Sequence, residues 1–172
     1  MKQLMDYSPC SAFGRRLTAG IVGCFLLAAT TVDAADFLPV GPTEFEAVHA
    51  ADASVTLLPE ARCLVFAPHD IFGTQVRWTA SSFVHVEHPQ HQVDCQVQVR
   101  LQQSHSSAGW RSAVMSARTD ISQNLTTASV TAVSEGAGSA LFGLQVAFIP
   151  RSGPPLAAGR YVTRLVGTIS AP

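Results

Sequence analysis

Apolar and polar positions alternate with a period of two in several stretches of this chain, and no window holds a 3.6-residue period over three turns. Val93, Cys95, Val97, Val99 and Leu101 alternate with Asp94, Gln96, Gln98 and Arg100. Phe142, Leu144, Val146 and Phe148 form a second clean run. In the last run Tyr161, Leu165 and Ile169 share one face, and Val162, Arg164 and Thr168 share the other. Further strands are predicted at Val55 to Leu58 and Cys63 to Ala67 (or one bent strand through both), Gln75 to Val86, Trp110 to Ala117 and Leu125 to Val133. Turns fall at Pro68 to Gly73, Glu87 to His91, Ser134 to Ser139 and Pro150 to Gly159. Short strands at this spacing predict an all-β β-sandwich in one domain, residues 55–172. Residues 35–54 precede it as an extended segment, because Pro39 and Pro42 forbid a helix at its start.

The first 34 residues break this pattern. Arg15-Arg16, an apolar run from Leu17 to Ala29 and the small residues around Ala34 predict a secretory signal peptide cleaved after Ala34. A rival reading takes Ile21-Val22-Gly23-Cys24 as a lipobox that would leave a lipidated Cys24. Formal net charge is −1, and no lysine lies beyond residue 34. This is no footprint for nucleic acid, nor a polybasic membrane patch. Of four cysteines, Cys10 and Cys24 fall in the leader. In an exported chain the remaining Cys63 and Cys95 are expected to form a disulfide.

Candidate chemistry is thin. His85, His88 and His91 recur at every third position around Pro89 and could ligate a transition metal, but the expected reading is a solvated turn. There is no G-x-S-x-G elbow, and the acidic residues are scattered, so nothing predicts an enzyme or a cofactor. Trp78 and Trp110 are expected in the core rather than on a sugar-binding platform.

Four stretches together resemble one family. Leu156-Ala157-Ala158-Gly159-Arg160-Tyr161 with its alternating strand is similar to the terminal strand of chaperone–usher pilins, the structural subunits of Gram-negative fimbriae. Ala53 to Leu58, Leu64 to Pro68 with Phe72, and Leu144 to Pro150 resemble the α-class, the colonisation-factor-antigen type of major subunit. The resemblance implies an immunoglobulin-like β-sandwich lacking its last strand, filled first by a periplasmic chaperone and then, at an outer-membrane usher, by the N-terminal strand of the next subunit. It places the donor strand within Glu44 to Ser54, inserting Phe45, Ala47, His49 and Ala51. The acceptor edge would run through Tyr161, Thr163, Leu165 and Ile169. Such contacts are head-to-tail and build a filament supporting adhesion. The expectation from another class is a self-contained periplasmic sandwich that binds a ligand or metal.

Overall fold

The computed structural model describes residues 36–41, 44–49, 55–68, 73–151 and 156–171. Residues 1–34, expected as a leader, Ala51, and residues 69–72 of the expected Pro68 to Gly73 turn lie outside the described residues. The described part belongs to one compact unit, Val32–Pro172. It is all-β. No helix among the described residues is long and apolar enough to cross a membrane.

Twelve strands follow in order: β1 (Asp36–Pro39), β2 (Glu44–His49), β3 (Thr56–Leu57), β4 (Ala61–Ala67), β5 (Thr74–Ser81), β6 (Phe83–His85), β7 (Gln92–Ser104), β8 (Arg111–Val114), β9 (Ser116–Arg118), β10 (Thr127–Ser134), β11 (Gly138–Ile149) and β12 (Gly159–Ser170). They hydrogen-bond in the order β1-β4-β11-β7-β6-β12-β5-β10-β8, with β2 on β12, β3 on β11 and β9 on β7. Every pairing is antiparallel. The ribbon folds over, and its two leaves pack face to face. One leaf is β1-β4-β11-β7 and the other is β12-β5-β10-β8. Trp78 of β5 meets Phe142 of β11 at 5.0 Å between ring centroids, and Phe148 meets Tyr161 of β12 at 5.4 Å. Such tilted and edge-on contacts suit the ring quadrupoles.

The clean alternations mark the core faces. Val93, Cys95, Val97 and Val99 are buried from β7, as are Phe142, Leu144, Val146 and Phe148 from β11. β3 and β4 lie end to end along the same edge of β11, as one strand interrupted at Leu58 to Glu60. Trp78 and Trp110 are buried.

Two predicted strands are each split. Gln75 to Val86 divides at Ser82, because β5 pairs with β10 whereas β6 pairs with β7 in the opposite leaf. Trp110 to Ala117 divides at Met115, where the chain leaves β10 for β7. Passing from one leaf to the other requires a break in pairing.

The expected Cys63–Cys95 disulfide is absent, and both thiols are free and buried. Cys63 stands opposite Phe142 on one edge of β11, and Cys95 stands opposite Phe148 on the other. Two strand spacings and six residues of rise separate their Cα atoms by about 20 Å, far beyond the roughly 7 Å that a bridge spans. Burial pushes the Cys63 thiol up to about 11 and the Cys95 thiol up to about 12, so both are held as unreactive thiols.

Candidate functional site

β12 is anchored at its start by a contact that only glycine permits. Gly159 has φ +146°, and a Cβ there would collide with Nε2 of His85. The His85 ring fills that space and is 2 % exposed. Its Nε2 donates to Ala158 O at 3.2 Å, while Nδ1 accepts from the backbone N–H groups of Glu87 and His88, each at 3.1 Å. The ring stands edge-on to Tyr161 at 4.9 Å. Tyr161 is fully buried, and its hydroxyl donates to Ala157 O at 2.9 Å. The Pro/Gly loop thus enters β12 through a fixed knot of one imidazole, one phenol and one glycine.

From there β12 uses both of its edges. On one, Tyr161 and Val162 pair with β6, and Leu165 to Ser170 pair with β5. Thr163 is buried and donates its hydroxyl to Ser81 O at 2.6 Å, near the break between β5 and β6. The other edge, from Gly159 to Arg164, is taken by β2 of the same chain. Tyr161 stands opposite Ala47, Thr163 opposite Phe45, and Gly159 opposite His49. Phe45 is 3 % exposed and Ala47 4 %, whereas Val48 in the opposite row is 74 % exposed. β2 pairs with β12 alone among the described strands.

The structure therefore brings together Phe45, Ala47 and the backbone of His49 with Tyr161 and Thr163. Leu165 and Ile169 lie beyond the reach of β2 and pair only with β5, at Ala80 and Val76. Just before β2, β1 pairs with β4, placing Asp36 opposite Phe66 and Pro39 opposite Cys63. The N-terminal arm thus covers the edge of one leaf with β1 and the edge of the other with β2.

The three histidines do gather, with ring centroids 5.0–6.3 Å apart. His85 nevertheless has both nitrogens committed to backbone groups, leaving no lone pair for a metal. No group of three His, Cys, Asp or Glu among the described residues is placed to hold a metal ion. The cluster serves as a fastener for β12.

One polar cluster escapes the sequence. Asp94 belongs to the outward row of β7 yet is 1 % exposed. The turn after β9 and the end of β11 cover it. Arg151 Nε donates to Asp94 at 2.6 Å and Arg151 Nη2 to Asp120 at 2.6 Å. Thr119 Oγ1 and the Ile121 N–H also donate to Asp94, at 3.0 and 3.1 Å, and Arg118 lies 3.6 Å away. Burial alone would raise the Asp94 carboxyl. The hydrogen bonds from Arg151, Ile121 and Thr119 outweigh it and hold the group below the ordinary carboxylate range. The open depression over this cluster is lined by Ile149 and Pro150 as well. With two arginines facing two carboxylates it is internally neutral, a clasp between loops. Asp94 is separated from its hydrogen-bond donors by 25 to 57 positions, so no local motif announces the cluster.

No family model matches the chain, and no curated protein or solved structure matches it significantly.

Proposed function

We propose that this chain is a structural subunit of an extracellular fimbrium, polymerised by donor-strand exchange and supporting cell adhesion. Its partners are other copies or related subunits, a periplasmic chaperone and an outer-membrane usher. One observation carries the reading. The segment expected as donor lies antiparallel on the strand expected as acceptor, with Phe45 and Ala47 inserted and no other strand among the described residues holding it. An arm attached along one edge by main-chain bonds and alternate side chains has the interaction form of β-strand addition. The same contact can be made by the arm of a neighbouring copy, as in strand swapping.

A second reading is a self-contained sandwich closed by its own arm, favoured because β2 and β12 pair within one chain. A double-cysteine variant of the full chain, Glu46→Cys with Val162→Cys, separates the two, since these residues stand directly opposite. Under oxidation, exchange between copies gives a reducible ladder of multimers on a denaturing gel. A disulfide-bonded monomer alone sinks the fimbrial reading and leaves the closed sandwich.

A further inference from the structure

Phe45 and Ala47 fill the inner face of the seam between β2 and β12, and the outer face carries an ordered charge pattern. Glu44 and Glu46 point outward from β2, and Arg160 and Arg164 point outward from β12. Arg160 grips Glu46 with two parallel contacts, Nε to Oε1 at 2.8 Å and Nη2 to Oε2 at 2.9 Å. This is the fork geometry that makes arginine–carboxylate pairs directional. Glu44 stands directly opposite Arg164 in the ladder. Two acidic positions on the arm thus face two basic positions on the edge.

The inner face discriminates weakly. One phenylalanine and one alanine at alternate positions describe a great many extended segments. A strand edge that offers only apolar pockets and main-chain bonds would accept any of them. The charged rows add the missing selectivity, because opposite charges across a strand pair stabilise and like charges directly opposite destabilise. Exposed pairs of this kind contribute little to stability. Their use is in choosing among partners of similar apolar fit.

We infer that Arg160 and Arg164 make the β12 edge selective for an extended segment bearing carboxylates at alternate positions around a phenylalanine, namely the Glu44-Phe45-Glu46 arm of another copy of this chain. The identity of that occupant as a second copy rests on the donor-strand reading above. The selection by charge does not, since it acts equally on the arm of the same chain.

The test uses full-length variants with reversed charges. The first carries Glu44→Arg and Glu46→Arg, the second Arg160→Glu and Arg164→Glu, and the third all four substitutions. Amide hydrogen exchange in β2 reports whether the arm is seated, and light scattering reports assembly. The first and second variants, each alone, lose roughly tenfold of the protection of β2, and the third regains it. Mixed one to one, the first two restore each other, because every contact between unlike copies is complementary, and assemblies that neither forms alone appear in the mixture. The inference is overturned if either reversal alone leaves β2 protected, or if the third variant is no better than the first two. A mixture that stays monomeric while the third variant recovers keeps the charge selection and removes the exchange between copies.

Discussion

Replacing Phe45 with alanine isolates what the arm contributes. Phe45 is 3 % exposed, opposite Thr163, on a strand held along one edge only. Truncating a buried phenylalanine costs about 3–5 kcal/mol where the cavity persists. β2 can settle inward or lift away, so the lower end applies, about 3 kcal/mol. At about 3 °C per kcal/mol for a domain of this size, the thermal midpoint falls by roughly 9 °C. The control lies three residues away on the same strand. Val48 is 74 % exposed, so Val48→Ala stays within about 0.5 kcal/mol. Thermal unfolding of the dilute full-length chain, followed by circular dichroism, measures both. Equal shifts for the two variants, or a fall below about 2 °C for Phe45→Ala, would refute the seating of β2 on β12.

Three further outcomes follow from the same geometry. Gly159→Ala sets a Cβ against His85 in a backbone conformation that L residues avoid, and should cost about 3 kcal/mol or more, read as a urea midpoint shift. Asp94 is depressed in the folded state, so its stabilisation is present at neutral pH and is lost as pH falls through and below the ordinary aspartate value of about 4. Denaturation titrations from pH 7 to 3 should therefore steepen for the native chain and flatten for Asp94→Asn. The buried thiols of Cys63 and Cys95 should resist iodoacetamide in the native protein and both react once it is denatured, even after folding in an oxidising buffer. Mass spectrometry showing a bridge between them would contradict the register of β4 and β7 on β11.

Much of the fold was legible because one face of each long strand is buried. In β7, β11 and β12 the alternation alone names the inward row. Alternation says nothing about which strands are neighbours, and the Cys63–Cys95 expectation fails there. Both residues point inward, but β11 stands between them. The breaks at Ser82 and Met115 were hidden for a similar reason, since moving from one leaf to the other is decided by distant partners rather than by local residues. Asp94 reads as outward by parity and is buried by Arg151, 57 positions later. The pairing of arm and edge is likewise long-range, with Glu46 and Arg160 114 positions apart.

The join between arm and edge links Glu46 with Arg160 across 114 positions. No ribosome can deliver such a contact early. β2 is among the first strands made and β12 the last of the twelve, so the arm waits, unpaired, through the synthesis of nearly the whole sandwich. Contacts of this span also slow closure of the fold, since loop entropy must be overcome before the contact gives any return. Until the arm seats, the start of β12 is an uncovered edge. Closure of that edge is therefore governed by the timing of the arm's return as much as by final stability.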